Sequence, residues 1–371
     1  HIPLLSSSSM KTSLLLLPGW SDLPLDLLEL ISDRLSSDTV DLLCLRSVCA
    51  TWRLSIPPSH NKNLLSKFPK HLPFWSSSSS GVFILKESSV YKLEAPKKSW
   101  LVKLQETSPG KMRVLDLFSN DKISFLPDNF PEKIDLQEFH ARLVRRAYRM
   151  EYANNGGAET SCFWSLRSDK VVILSSGEDS AVMAIHSGGK LGFLKSGNYE
   201  RWRVLGDSWN VMYDDIMAHG ENCIVVDDKG KTVIYDVDFE VSDLAEGLAG
   251  GGGHKKHLLE YSGGGEVLLV DKYVKHVWCK SAFSKSAVEF RVYKLNREEK
   301  RWEEVRELGD VALFVGDDCS FSVRIPAGDL AGGCIFYRDY RNGGRSKGIC
   351  SNGEGVFNVE LPDAGKSWVS Y

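Results

Sequence analysis

The feature that most constrains this chain is a series of short apolar runs with period-two alternation, beginning near Gly81 and continuing almost to the end. They read GVFILKE, SVYKLEA, KVVILSS, AVMAIHS, KLGFLKS, NCIVVDD, TVIYDVD, EVLLVDK, EFRVYKL, VALFVGD, CIFYRDY and GVFNVEL, bounded by Gly, Asp, Asn and Ser. A two-residue period sends successive side chains to opposite faces, which is the pattern of strands. A dozen strands at close spacing leave a sandwich, a barrel or a propeller. A repeat chooses among these. A charged turn followed by Trp and a strand recurs as KKSWLVKL at Trp100, YERWRVLG at Trp202, KRWEEVREL at Trp302 and GKSWVSY at Trp368, the first three 102 and 100 residues apart. That interval is about two kelch-like blades of roughly fifty residues. The intervening blade is then the one around KGKTVIYDVD, its Trp lost. Residues 81–371 hold about six such blades. Closure is expected between the strand after Ser80 and the chain end near Val369, which removes the exposed sheet edge.

The segments HSGGKLGFLKSGNYERW, GGGEVLLVD and EFRVYKLNREEKRWEEVRELGDVALFVGDDCSFSV resemble plant F-box proteins carrying a KIB-type β-propeller, a family that includes the Skp-interacting F-box proteins. The resemblance covers essentially everything after residue 70. It implies a propeller that hands target proteins to the ubiquitin machinery.

Upstream lies WSDLPLDLLELISDRLSSDTVDLLCLRSVCATWR, Trp20 to Arg53. Wound at ~100° per residue, Leu25, Leu27, Leu28, Leu30, Ile31 and Leu35 cover more than half of a helix. Val40, Leu42, Leu43, Cys44, Leu45, Val48 and Cys49 do the same in the next run. Fewer than about forty residues cannot bury that much apolar surface alone. The surplus reads as a docking face for another protein. Leu23-Pro24, Leu28, Ile31, Leu35, Leu42, Leu45, Val48, Cys49 and Trp52-Arg53 also match the spacing of the F-box, which this stretch resembles. The resemblance implies binding to the Skp adaptor of cullin-based ubiquitin ligases. The expected contacts are Leu23, Pro24, Leu28, Ile31 and Leu35 from the first helix and Leu45, Val48 and Trp52 from the later ones. Some of these must fill the module's own core.

The chain therefore reads as an α+β multidomain protein, a small N-terminal helical F-box followed by an all-β propeller. Residues 1–19 are expected to be disordered, 20–56 to form the F-box, 57–80 a linker or arm with Pro57-Pro58, Pro69, Pro73 and Ser76 to Ser80, and 81–371 the propeller. Leu14 to Leu17, ended by Pro18-Gly19, are too few for a signal-peptide core of about 7–15 residues. No apolar run approaches the roughly 18 residues that span a bilayer. With a formal charge of −3, no global field points to nucleic acid or to an anionic membrane. The eight cysteines, Cys44, Cys49, Cys162, Cys223, Cys279, Cys319, Cys334 and Cys350, contain no C-x-x-C pair. They read as reduced thiols of a cytoplasmic or nuclear protein.

The remaining motifs carry little chemistry. Gly230-Lys231-Thr232 and Gly365-Lys366-Ser367 end like a phosphate loop, but Val225 and Glu360 stand where its first glycine belongs and no helix follows. His254 and His257 lack a third ligand and flank two lysines, so no metal site is expected. His186 reads as an ordinary strand histidine. Asp214-Asp215, Asp227-Asp228 and Asp317-Asp318 read as turn caps. No catalytic set and no cofactor is expected. Asp236 to Gly253 reads as a long surface insertion whose glycines do not pack. Phe139 to Met150 is either a basic recognition helix, with Arg142, Arg145, Arg146 and Arg149 on one face, or a solvated face or strand pair.

The expected function is that of a non-catalytic substrate receptor, binding Skp and through it cullin, with a target protein on the propeller. Two alternatives stand beside it. In one, the propeller binds a ligand or catalyses, and the F-box controls its turnover. In the other, the chain is a Skp-bound scaffold that never joins a ligase. Convergent polar residues around a central channel would favour the first alternative.

Overall fold

A computed structural model of the chain describes residues 20, 23–35, 39–56, 64–73, 82–95, 98–108, 111–119, 121–123, 139–153, 170–176, 179–186, 189–195, 197–205, 211–262, 265–277, 285–325, 332–339, 345–351 and 357–360. The expectations for residues 1–19, Trp368 and Val369 lie outside these. The chain divides into two compact units, His1–Lys62 and Asn63–Tyr371.

The first unit is helical: α1 (Leu25–Leu35), α2 (Thr39–Ser47) and α3 (Ala50–Ser55). Asp26 in the first turn of α1 and Arg34 in its last both complement the helix dipole. Cys49 caps α3 by accepting from Trp52 N at 3.5 Å. Arg46 Nη1 donates to Arg53 O at 2.9 Å and Arg53 Nε donates back to Arg46 O at 3.2 Å, which clasps α2 to α3.

The second unit is mainly β, its described strands joined in three hydrogen-bonded sheets that divide into five stacked blades. The first contains β1 (Leu72–Pro73), β2 (Val82–Ala95), β3 (Lys98–Ser108), β4 (Lys111–Leu115) and β5 (His140–Ala153). Three four-stranded meanders follow: β6 (Val171–Ser176), β7 (Asp179–His186), β8 (Lys190–Lys195), β9 (Asn198–Leu205); β10 (Tyr213–His219), β11 (Asn222–Asp227), β12 (Thr232–Tyr235), β13 (Val241–Ala245); and β14 (Lys255–Glu260), β15 (Val267–Val277), β16 (Lys285–Asn296), β17 (Arg301–Val305). They begin at 171, 213 and 255, an interval of 42 residues each time. The last set is β18 (Val311–Val315), β19 (Ser320–Arg324), β20 (Cys334–Asp339), β21 (Arg345–Ser351) and β22 (Phe357–Glu360), with β18 and β20 parallel. The inner strands β5, β6, β10, β14 and β19 each pack beside the next, and β19 packs beside β5. Five blades thus close the ring among the described residues, against about six expected from length. The first blade, Leu72 to Ala153, takes nearly twice the chain of the 42-residue interval that follows.

Each blade is sandwiched between two others, and strand alternation divides its side chains between them. In β6, Val171 and Ile173 face the first blade while Val172 and Leu174 face the third. Cys223 and Val225 of β11 go one way, Ile224 and Val226 the other. Val311 and Leu313 of β18 pack against the fourth blade, Ala312 and Phe314 against the first. This two-sided burial is why several of the runs are apolar at every position.

The closing seam joins the last blade to the first. Phe314 stacks on Phe321 at 4.9 Å and packs with Phe118 and Phe336. Beside them Lys103 and Asp318, both buried, meet at 2.5 Å, and Lys103 Nζ also donates to Ser119 O at 3.0 Å. Arg338 Nη1 reaches across to Ser119 Oγ and Asp121 Oδ2 at 2.6 and 2.7 Å. Among the described residues the last and first blades meet through these side chains, and the expected pairing with the chain end near Val369 lies outside them. The strand after Ser80, β2, pairs with β1, β3 and β5.

Several expectations change. Residues 64–73, read as linker, belong to the second unit: Leu72 pairs with Phe83, and Phe68 and Leu72 are buried in the seam between the first two blades. Of the two readings of Phe139 to Met150 the strand is the one found, from His140 onward, because β5 pairs along its length with β2. Trp202 and Trp302 occupy matching outer strands two blades apart, with KGKTVIYDVD between them as expected, whereas Trp100 lies on β3 inside its blade. Asp236 to Gly253 is not an insertion. It carries β13 and then a glycine run whose last two members pack tightly, while Gly250 faces open space: a Cβ on Gly252 (φ +70°) would meet Asp271 Oδ2 at 2.5 Å, and one on Gly253 would meet Lys272 O at 2.5 Å. The run wraps a buried ammonium, with Lys256 Nζ donating to Gly251 O and Gly253 O at 2.9 and 3.1 Å. Reduced thiols hold for Cys44, Cys49, Cys223 and Cys319. Cys334 instead is disulfide-bonded, and the residue opposite it across β20 and β21 is Cys350, a proximity that spacing along the chain does not reveal.

Lys103→Met strands the Asp318 carboxylate in the closing seam. It should cost about 3–5 kcal/mol in urea denaturation, and adding Asp318→Leu should recover much of it. Gly252→Ala, which forces a Cβ into a left-handed position against Asp271, should cost about 1–3 kcal/mol.

Candidate functional site

The helical unit has a small core and a large apolar exterior. Leu28, Leu42, Trp52 and Ile56 are buried together, with Leu23, Leu45 and Cys49 packed at their margin. The Trp52 indole donates to Trp20 O at 3.0 Å, which holds the entry of the chain against α3. Outside this core Leu27 is 43% exposed, Leu30 58% and Leu54 88%, with Trp20, Leu25 and Val48 exposed as well. On α1 the core side is Leu28 and Ser32, and Leu27 and Leu30 project away from it. Single exposed apolar residues are common, but several within so small a module mark a surface meant to be covered.

The expected contact residues divide accordingly. Val48 and Pro24 are exposed, and Leu23, Ile31 and Leu45 are half-buried; the Leu35 side chain lies outside the described set. Leu28 and Trp52 fill the module's own core at 1% and 5% exposure, so they support the face without forming it. Leu25, Leu27, Leu30 and Leu54, absent from the expected contacts, supply the exposed apolar surface. The signal for three of them was the excess width of the α1 apolar arc.

In the propeller, convergent charge lines the axis. Three cavities of about 400, 190 and 140 Å³ share wall residues, Arg145 and Ser320 between the first two and Lys170 between the last two, and so form one channel. Its walls carry eight basic side chains (Arg142, Arg145, Arg146, Lys170, Lys255, Lys272, Arg324, Arg338) against five acidic ones (Asp214, Asp215, Glu260, Asp317, Asp318). In the deepest part charges are paired. Asp215 Oδ1 lies 2.5 Å from Lys170 Nζ, and the same carboxylate accepts from Ile216 N and Leu258 N, each at 2.7 Å. Asp214 Oδ2 accepts from Lys256 N at 2.9 Å. Burial holds the Asp214 carboxyl above the usual carboxylate range although Lys255 and Lys256 pull it down. Burial, then Asp318, push the Cys319 thiol up to about 11, which keeps it protonated and non-nucleophilic at neutral pH.

Of the three aspartate pairs, Asp227-Asp228 shows the expected turn role. Asp227 Oδ1 accepts from Lys229 N and Lys231 N at 2.9 and 2.8 Å. Asp214-Asp215 lies on β10 in the channel wall, and Asp318 belongs to the closing ion pair. His254 Nδ1 accepts from Val274 N at 3.2 Å, while His257 is buried in the channel wall. His186, at the end of β7, is half-buried.

The KIB1-4 beta-propeller family profile matches residues 79–358. The chain belongs to this family. Its relatives carry both units: the Arabidopsis thaliana protein named "Putative F-box protein At5g60060" is 77% identical over 360 residues, covering 95% of this chain and 96% of its own length. F-box protein SKIP23 of the same plant is 32% identical over 82% of this chain and 79% of its own. F-box protein At2g17036 is 30% identical over 82% and 78% respectively. This is a plant-type F-box protein with a KIB-type propeller, as the sequence motifs indicated.

The channel of this KIB-type propeller gives the fold a pH dependence. Burial, then Lys255, Lys170 and Lys272, hold the His257 imidazole well below its usual range. His186 shifts the same way, through burial and Lys190. An unfolded histidine takes up a proton near pH 6.5 while these stay neutral, so the unfolded state binds more protons and stability falls as pH drops through that range. Asp214 acts with the opposite sign, so the informative quantity is a difference. Between pH 7 and 5.5 the melting temperature should fall, and His257→Gln should flatten that fall relative to wild type.

Proposed function

We propose that this chain is the substrate-receptor subunit of a Skp–cullin–F-box ubiquitin ligase. The helical unit binds a Skp-family adaptor through Leu25, Leu27, Leu30, Val48 and Leu54, with Pro24 and Ile31 at the edge. The propeller holds a target protein. The chain itself performs no catalysis and raises the local concentration of target lysines near activated ubiquitin, in the cytoplasm and/or nucleus. The observation that carries this reading is the exposed leucine surface on a module with a complete core of its own.

Leu27→Asp with Leu30→Asp should weaken capture of the Skp adaptor by about a hundredfold or more, since each leucine buried at an interface contributes roughly 1.5–3 kcal/mol. Both side chains are exposed in the isolated chain, so its melting temperature should not change. Leu28→Ala should instead destabilise the module by about 2–5 kcal/mol. Undiminished adaptor capture by the Leu27/Leu30 variant would refute the interface, and failure of cullin to co-purify would favour the scaffold reading.

The convergent charges of the axial channel favour a second reading, in which the propeller binds a ligand and the F-box limits its own abundance. Under that reading the Leu27/Leu30 variant accumulates while no other protein does. Under the receptor reading a second protein, captured through the propeller, accumulates with it.

A further inference from the structure

At one mouth of the channel the charges are not balanced as they are within it. The cavity of about 400 Å³ there is walled by β5, the end of β14 and β19, and contains Arg142, Arg145 and Arg324 with one carboxylate, Glu260. A bulge places Arg142 and Arg145 together. Val90 pairs with Arg145 and Tyr91 with Leu143, so Val144 is an extra residue in β5, and it resets the alternation that would otherwise send residues three apart to opposite faces. Glu260 is already engaged: Oε1 contacts His219 Nδ1 at 2.8 Å and Oε2 is 3.6 Å from Arg145. Arg324 meets Asp310 at 3.2 Å with its side chain still 62% exposed.

The wall also holds hydroxyls with nothing to bond. Ser320 is 2% exposed, and neither its Oγ nor that of Ser262 has a hydrogen-bond partner. Ser322 is different, because its Oγ donates to Glu260 O at 2.7 Å and accepts from Ser262 N at 2.6 Å, which fixes the wall. Three guanidiniums and two unsatisfied hydroxyls suit a dianion with several acceptor oxygens better than a single carboxylate. The cavity is open and much larger than one phosphate, and Leu143 and Tyr261 in its wall give apolar footing for neighbouring residues of a chain.

We propose that this mouth binds the phosphate monoester of a phosphoserine or phosphothreonine carried on an extended segment of the target protein. This rests on the reading of the propeller as the part that holds a target.

The test uses the full-length chain and two fluorescent degenerate peptide pools, identical except that the central serine is phosphorylated in one. The phosphorylated pool should bind at least about tenfold more tightly, as expected for charge-assisted bonds to arginine. Arg145→Gln combined with Arg324→Gln should abolish the difference, and Ser320→Ala, which removes only a hydroxyl, should reduce it with the melting temperature unchanged. Inorganic phosphate and free phosphoserine should compete only at concentrations about a hundredfold higher than the pool. Equal binding of the two pools, a preference that survives the arginine substitutions, or free phosphate competing as well as the peptides would each overturn the proposal. Adaptor capture measured on the same preparation separates the two readings. Equal pools with capture intact refute this site alone, whereas discrimination between pools with capture absent supports the site and refutes the ligase role.

Discussion

Every blade of the propeller depends on being covered from both sides, and the ring supplies that cover only if its ends meet. The seam between the last blade and the first is therefore the interaction on which the second unit rests. It combines an apolar stack around Phe118, Phe314 and Phe321 with the buried Lys103–Asp318 pair. The apolar part provides stabilisation by burial. The ion pair contributes little net energy once desolvation is counted, but it penalises any closure in which Lys103 and Asp318 fail to meet. Arg338, reaching from β20 to Ser119 and Asp121, adds a second constraint of the same kind. Closing the ring and fixing which ends close it are separate tasks, given to different chemistry.

A closed ring also creates an axis, and the strands nearest it cannot be wholly apolar. β5, β10, β14 and β19 carry arginine, aspartate, lysine and serine toward a space that water can enter. Within the channel the charges neutralise one another, as at Lys170 and Asp215. At the mouth beside β19 they do so only in part, with Arg142, Arg145 and Arg324 against Glu260 and Asp310. The same geometry that requires polar inner strands thus leaves a place where positive charge is in excess, on a chain whose formal charge is −3.

These inner strands were the least legible part of the sequence. All twelve alternating runs fall on strands, one of them on the inner strand β6 but most on the blade centres β2, β7, β8, β11, β12, β15, β16, β18 and β20. GVFILKE and SVYKLEA, which look like two strands, are one. Of the channel strands, HARLVRRAYRMEYA shows no clean apolar stripe and resembles a basic helix, while SFSVR alternates Phe321 and Val323 with polar residues over only five positions. Period-two patterning detects burial, and a channel wall is not buried in that sense. Gly252 and Gly253 were misread for a related reason: they pack through the absence of side chains, beside the Lys256 ammonium, which no hydropathy pattern records.

The helical unit shows the same division. The sequence by itself determined that Trp20 to Arg53 holds more apolar surface than it can bury and that the remainder is a propeller, and its motifs resembled one family of proteins. The first two conclusions follow from local quantities, namely periodicity, composition and repeat spacing. Only the tertiary structure decided that Leu28 and Trp52 face inward while Leu27 and Leu30 face out, because which part of a wide apolar arc is buried depends on where α2 and α3 pack. It also decided that Arg142, Arg145 and Arg324 share one cavity. Arg324 is more than 170 residues from the other two, and it reaches them because closing the ring sets β19 beside β5.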